Sequence, residues 1–421
     1  MKFCCRYIVL IVVAALLLSA CKIEKDNTDK LVNKEVFNLM KEYYLWYNYL
    51  PTKVDYGAYS NPQELMDAVR YEELDRWSYV QTMEEFYQFS EGKFYGHGFS
   101  FGLDESGNIR IVYVFRNTQV ANNGVQRGWI ITKVNGTTAT EDNIRGLLGE
   151  SKAGITNTIA FLDENGAPVN LVLTKEEIQV TPVLHYEVID QGDTKIGYLV
   201  FEEFIRPAYP EFEEAFNHFN AQGIDELIVD LRYNGGGFVN VADTLAGWLI
   251  GKDHGNQFFT ETRYNNKYSQ FNETSKVPAI SNGVSLSRIF FIGTEYTASA
   301  SELVINGISP YVDVIIAGDT THGKPVGMDG FIVGNYVAWP VTFSYYNANN
   351  IGDFYNGLPA TLPAEDDITR NFGDPEESSL KAILDYISGV AAPMKAERER
   401  GSRLSRLILP DKPISPYSKS F

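Results

Sequence analysis

The sequence predicts a mixed α/β core preceded by a small β-rich module and a helical N-terminal region. Three observations predict it. From 179 to 393, apolar runs of strand length alternate with amphipathic helical stretches. From 93 to 178, short strand-like runs are separated by glycine-containing turns such as Asn135-Gly136 and Asn165-Gly166. From 35 to 92, apolar residues recur at three- and four-residue steps.

The chain has 421 residues, 44% hydrophobic and 21% charged, enough for two or three folded units. Its formal net charge of −18 repels phosphate backbones, so nucleic acid is not an expected partner. Lys2 and Arg6 precede an apolar run from Tyr7 to Leu18, too short to span a bilayer. Leu18-Ser19-Ala20-Cys21 follows, so 1–20 reads as a signal peptide. The quartet resembles the lipobox of bacterial lipoproteins, which implies cleavage before Cys21 and its acylation. That places the protein in the bacterial cell envelope, lipid-anchored, with Lys22 leaning toward the outer membrane and a periplasmic or surface-facing body. Residues 21–34 are polar and read as a tether.

The cysteines are Cys4, Cys5 and Cys21, so cleavage leaves no pair for an internal disulfide and no cysteine metal cluster. His97, His185, His218, His254 and His322 show no His-Glu-x-x-His spacing. Neither a metal nor a cofactor is expected.

In the N-terminal region Val36, Phe37, Met40, Tyr43, Tyr44 and Tyr47 predict a helix ended by Leu50-Pro51. Ser60 and Pro62 open a second. Thr82 to Glu85 forms a capping box for a third. The module from 93 to 178 has strands at Ile109–Phe115, Gly128–Gly136, Asn157–Leu162 and Val169–Leu173, with a short helix near Asn143–Leu148. The core has strands at Lys195–Phe201, Glu226–Leu231, Arg288–Ile292 and Val312–Ala317. Its helices are Tyr209–Asn220, Phe238–Ile250 and Ala298–Ile308. Residues 394–421, rich in Lys, Arg, Ser and Pro, read as a loosely held tail.

Three segments of the core carry chemistry. Asp230-Leu-Arg-Tyr-Asn-Gly-Gly-Gly237 ends a strand in three glycines, whose uncovered N–H groups suit an anion or a sharp turn. Tyr296-Thr-Ala-Ser-Ala-Ser-Glu302 puts a serine between strand and helix, where the helix N-terminus favours negative charge, although N-capping alone would also explain it. Thr320-Thr-His-Gly-Lys324-Pro-Val-Gly327 puts a lysine just after a buried strand. Such a lysine is an ordinary surface cation unless desolvation favours its neutral form, which can then act as a base.

Together these segments resemble the C-terminal processing, or tail-specific, protease family of Ser-Lys peptidases. In that family Asp-Leu-Arg-x-Asn-x-Gly-Gly precedes Ser-Ala-Ser-Glu and then Gly-Lys, and the 25 residues from Ser299 to Lys324 match the family spacing. The resemblance runs from about 35 to 390. It implies a ClpP/crotonase-like core at 179–393, a PDZ domain at 93–178 and a helical N-terminal domain at 35–92, where Tyr44-Leu-Trp-Tyr47 is similar to that of related enzymes. Ser299 would be the nucleophile and Lys324 its general base. N–H groups of Gly237 or Gly236 and of Ala300 would form the oxyanion hole, and Glu302 and Thr321 would shape the site. Gly98 and Phe99 would belong to the loop that receives a C-terminal carboxylate. The substrate would be a peptide or unfolded protein cleaved through an acyl-enzyme.

The chain departs from the family at three places. Met328 stands where some members have Gln, Pro310 where some have Asp, and Trp129 where Asp usually follows Gly128. Met328 and Pro310 motivate a rival reading as a peptide-binding lipoprotein with a degenerate protease core. Gly98-Phe-Ser-Phe-Gly102 matches the Gly-x-Ser-x-Gly pattern, but a turn and strand follow it, not the helix that pattern requires. Ser90-x-x-Lys93 and Ser378-x-x-Lys381 lack the companion motifs of β-lactamases. His322 is expected to line the cleft, without a direct part in the chemistry.

Overall fold

The computed structural model describes residues 29–390 and 404–408. The signal-peptide and Cys21 expectations lie outside the described residues. The chain forms two compact units, each built from segments distant in sequence.

The first unit holds the described residues up to Phe86 together with Arg263–Asn272 and Val326–Phe343. Its first helix spans 29–43, so the last part of the expected tether is helical. The helix stops short of Leu50-Pro51. The Leu45 N–H donates to the Val341 carbonyl at 2.8 Å instead of continuing the ladder. Tyr44 turns inward, its hydroxyl donating to Asp75 Oδ2 at 2.7 Å. The second helix is Pro62–Val69, capped by Asn61 with Pro at its start. The Thr82–Glu85 capping box forms, with the Thr82 N–H on Glu85 at 2.7 Å and the Glu85 N–H on Thr82 at 3.2 Å. The region is not wholly helical. Tyr79–Thr82 is a strand, and it pairs antiparallel with Tyr336–Trp339. No local pattern near Tyr79 names so distant a partner.

The second unit contains a β-rich module and the larger core. In the module, β1 (Phe99–Asp104), β2 (Ile109–Val114) and β3 (Ile130–Val134) are followed by α1 (Ile144–Leu148) and then β4 (Thr156–Leu162) and β5 (Pro168–Thr174). These strands pair antiparallel in chain order, β1-β2-β3-β4-β5. Phe99, Phe101, Ile111, Ile131, Ile159 and Phe161 fill its interior.

The core runs β6 (Val183–Gln191), β7 (Thr194–Phe201), α2 (Ala208–Gln222), β8 (Glu226–Asp230), α3 (Val239–His254), β9 (Arg288–Gly293), α4 (Ala300–Ile308), β10 (Asp313–Gly318), β11 (Leu362–Pro363) and α5 (Ser378–Ile387). The six strands lie in the order β6-β7-β8-β9-β10-β11. The β6–β7 pair is antiparallel and every later pair is parallel. Parallel strands need crossovers, which is why helices alternate with them. In α2, Phe212, Ala215, Phe216 and Phe219 recur on one face and are buried. Gly223 ends it in the left-handed region, φ 66°, its N–H on the Phe219 carbonyl at 3.0 Å.

The expected loose tail is corrected at one place. Leu404–Ile408 forms a strand, β12, antiparallel to β1. Leu404 is buried with Ile368 and Leu380 in the core, which gives this polar stretch an apolar foothold.

Candidate active site

The three chemistry-bearing segments leave the C-terminal ends of three neighbouring parallel strands, β8, β9 and β10. Loops at that end of a parallel sheet converge, so segments about 65 and 25 residues apart in sequence meet in space.

Ser299 sits at the N-terminus of α4 with φ 56°, a left-handed conformation uncommon outside glycine. The loop before it is tied to the β8 loop. The Thr297 hydroxyl donates to the Leu231 carbonyl at 2.8 Å, and the Thr294 hydroxyl donates to the Arg232 carbonyl. Asn234, fully buried, holds the two loops in register. Its carbonyl accepts the Ala298 N–H at 3.1 Å and the Ser301 hydroxyl at 2.9 Å. Its amide donates to the Phe201 carbonyl at 3.0 Å.

Glu302, also fully buried, draws the third loop in. Its Oε2 accepts the Ser299 N–H at 3.0 Å and the Lys324 N–H at 2.8 Å. Its Oε1 accepts the Thr321 hydroxyl at 2.5 Å and the Gly323 N–H at 2.7 Å. Burial pushes the Glu302 carboxyl above its usual range, and these four donors hold it partly back. The Thr321 hydroxyl also accepts the Leu358 N–H at 2.7 Å, and the His322 N–H donates to the Thr297 carbonyl at 2.9 Å. Ser299 is 7% exposed and Lys324 1% exposed. The serine is at the surface's edge, while the lysine is withdrawn from water.

Gly236 and Gly237 both take positive φ, 105° and 138°. A Cβ on Gly236 would lie 3.0 Å from the Ala300 N, so this turn passes beside the first N–H of α4. The two glycines named as alternative donors are not equivalent. The Gly236 N–H donates to Asn234 Oδ1 at 2.9 Å inside the loop, which commits it to holding the turn.

Behind the β8 loop lies a buried ionic cluster that local sequence did not reveal. Arg232 pairs with Asp230 at 2.8 Å, Asp366 at 2.9 Å and Glu377 at 2.8 Å. Arg127, from the β-rich module, pairs with the same Asp366 at 2.7 Å and donates to the Tyr233 hydroxyl at 2.6 Å. Burial alone would raise the Asp366 carboxyl, but Arg127 and Arg232 outweigh it and hold it below its usual value. The charges in Asp230-Leu-Arg232 at the end of an apolar strand were the available signal. The Arg232 partners Asp366 and Glu377 lie more than 130 residues away.

Gly98 has φ 86°, and a Cβ there would meet Thr118 at 2.5 Å; Phe99 is buried in the module as the first residue of β1. The Gly98 carbonyl accepts the Phe115 N–H at 2.9 Å. Ser100 is buried within β1, a strand the sequence did not single out, and β2 follows it with no helix between, as expected. Trp129 donates to Glu164 at 2.8 Å and packs on Phe161. Among the described residues no cluster of His, Cys, Asp or Glu could hold a metal ion.

Comparison with known proteins bears on this geometry. Residues 195–362 match the model of peptidase family S41, and 32–79 match the peptidase S41 N-terminal domain. A CtpA-like serine protease of Staphylococcus saprophyticus is 25% identical over 260 residues, 60% of this chain and 50% of that protein. A carboxyl-terminal-processing protease of Synechocystis is 23% identical over 229 residues, 53% of this chain and 51% of that one. The chain thus spans about half the length of these relatives. A crystal structure of an S41 protease from Bacteroides fragilis superposes with a TM-score of 0.73 at 26% identity, covering 85% of this chain and 97% of that one. The converging loops thus lie in a mixed α/β S41 peptidase fold, and the chain belongs to peptidase family S41, the C-terminal processing proteases.

Proposed function

We propose that the chain is a serine endopeptidase of the C-terminal processing type, with Ser299 as nucleophile and Lys324 as general base. One observation carries the reading: a single carboxylate oxygen of Glu302 accepts the backbone N–H groups of both residues. Lys324 is nearly excluded from water, and removal from water favours the neutral amine, the form able to accept a proton. The Ser299 hydroxyl gives its proton to that amine as its oxygen attacks the peptide carbonyl. The N–H groups of Gly237 and Ala300, aided by the positive end of α4, hold the resulting oxyanion, each worth about 3–4 kcal/mol. Collapse expels the amine product, which takes the proton from Lys324, and leaves an acyl-enzyme. Water, deprotonated by Lys324, then releases the acyl group.

The substrate is a peptide or unfolded protein. Residues 93–178 act as a PDZ domain, with Gly98-Phe99 receiving its terminal carboxylate and β1 supplying an edge for strand addition. Cys21 carries a lipid anchor that holds the enzyme in the cell envelope. Among the described residues no helix is long and apolar enough to cross a membrane.

The test is cleavage of unfolded casein by Ser299→Ala and Lys324→Ala proteins. Each is expected to lose on the order of 10³-fold or more in kcat. Unchanged cleavage by either removes the assignment. A protein that only binds chain ends would give saturable binding and no products from the unaltered chain.

A further inference from the structure

β1 has one neighbour within its own module. It pairs with β2 from Phe99 opposite Val114 to Leu103 opposite Ile109. Its other side is covered by β12, with Leu404 opposite Asp104, Arg406 opposite Leu103, Leu407 opposite Gly102 and Ile408 opposite Phe101. Without β12, β1 would be an open sheet edge with a row of unpaired N–H and C=O groups, able to accept any extended segment.

Three features suit β12 to the role of an occupant of that edge. Its attachment uses main-chain groups: beyond the ladder, the Leu404 N–H donates to the Asp366 carbonyl and the Leu407 N–H to the Tyr296 hydroxyl, both at 3.1 Å. The Ser405 hydroxyl adds bonds to the carbonyls of Leu103 and Asp104, at 3.0 and 3.1 Å. Its direction is that of an incoming chain end, because the register descends β1 toward Phe99 and the Gly98 turn. Its location joins edge and nucleophile, since Tyr296 stands three residues before Ser299 on the same loop.

We propose that the β1 edge is the docking line for the C-terminal stretch of an extended substrate, and that Leu404–Ile408 is its resident occupant in cis, which the substrate displaces. This rests on the reading of the module as a captor of chain ends. An occupant in cis lowers the fraction of protein able to bind and raises the apparent Kd in proportion. The enzyme is thereby held back until a chain end outcompetes its own strand. Any extended main chain ending in a free carboxylate would qualify, which fits an unfolded-protein substrate better than a folded one.

The experiment locks the strand reversibly. Gly102→Cys and Leu407→Cys form a directly opposed antiparallel pair, whose Cα separation of about 4.5–5.5 Å is within disulfide reach. Cys4, Cys5 and Cys21 are replaced by serine so that the new pair is alone. In the Ser299→Ala background, binding of fluorescein-labelled unfolded casein is measured with the pair oxidised and then reduced. Binding about ten-fold weaker in the oxidised protein, recovered on reduction, is expected. A chain ending at Arg403 should bind more tightly than the full chain, with its melting temperature confirming that it folds. Equal binding by oxidised and reduced protein overturns the proposal while leaving chain-end capture intact. Casein binding to neither of them nor to the shortened chain overturns both.

Discussion

Gly236 lies directly against Ser299: a methyl group on Gly236 would come within 2.8 Å of the Ser299 Cβ and 3.0 Å of the Ala298 carbonyl oxygen. The space for the Ser299 side chain is therefore set by the missing side chain of a residue 63 positions earlier in the sequence. Gly236 and Gly237 also hold φ values that side chains rarely tolerate.

Gly236→Ala should abolish casein cleavage, with kcat down on the order of 10²-fold or more, because Ser299 must move from its place beside the Ala300 N–H. Gly237→Ala meets backbone instead, 2.3 Å from the Phe204 carbonyl oxygen, and should lower the melting temperature more than Gly236→Ala does. Paired kinetics and thermal melts check both. Wild-type kcat in Gly236→Ala would show that this packing does not govern the nucleophile.

Glu302, itself fully buried, concentrates four donors on its two oxygens. Glu302→Ala leaves those donors buried without an acceptor and should cost roughly 3–5 kcal/mol in urea unfolding. Glu302→Gln keeps the volume but cannot accept at both oxygens. It must turn an N–H₂ toward either the Ser299 and Lys324 N–H groups or the Thr321 and Gly323 donors. Activity should fall at least about ten-fold with a smaller loss of stability than in the alanine variant. Near-normal kcat in Glu302→Gln would exclude this carboxylate as the element positioning both residues.

Much of the site was legible because its three motifs are each short and continuous. Alternation of apolar runs with Phe212–Phe219 helical spacing located β7 to β10 and α2 to α4 to within a few residues, but not β6, β11 or α5. Topology then did the rest, since neighbouring parallel strands bring their following loops together. What remained hidden depends on partners far apart in sequence. Asp366 and Glu377 lie in loop-rich sequence, and nothing local says that they neutralise Arg232. Leu404–Ile408 is flanked by Arg, Ser and Pro, so its composition reads as tail. Its strand conformation comes from the edge of β1, not from its own propensity. The choice between Gly236 and Gly237 required knowing where the Asn234 side chain turns.

Pro310 lies just past Ser309, the C-cap of α4, while Ser299 caps the other end. At 1.5 Å per residue the two ends are about 15 Å apart. An acidic residue at that position would act on Ser299 only across the length of the helix. Pro310→Asp should accordingly leave casein kcat within about two-fold of the unaltered protein, since a unit charge at that distance in a screened environment contributes little. A ten-fold gain would mean that this departure from the family does impair catalysis.

Asp366 should make the protein acid-labile. Arg127 and Arg232 hold its carboxyl below the usual value of 3.8, so the folded state binds the proton less readily than the unfolded chain. The stability this contributes is complete above 3.8 and is lost as pH falls below 3.8 through the lower folded value. Protonation leaves two buried guanidiniums, each 1% exposed at the side chain, with one fewer counter-charge. Urea midpoints for the unaltered protein should therefore drop as pH falls below 3.8. Asp366→Asn, which lacks the charge at every pH, should start lower at pH 7, by roughly 3–5 kcal/mol, and show a shallower decline across the same interval. Parallel declines for the two proteins would assign the acid sensitivity to other carboxylates.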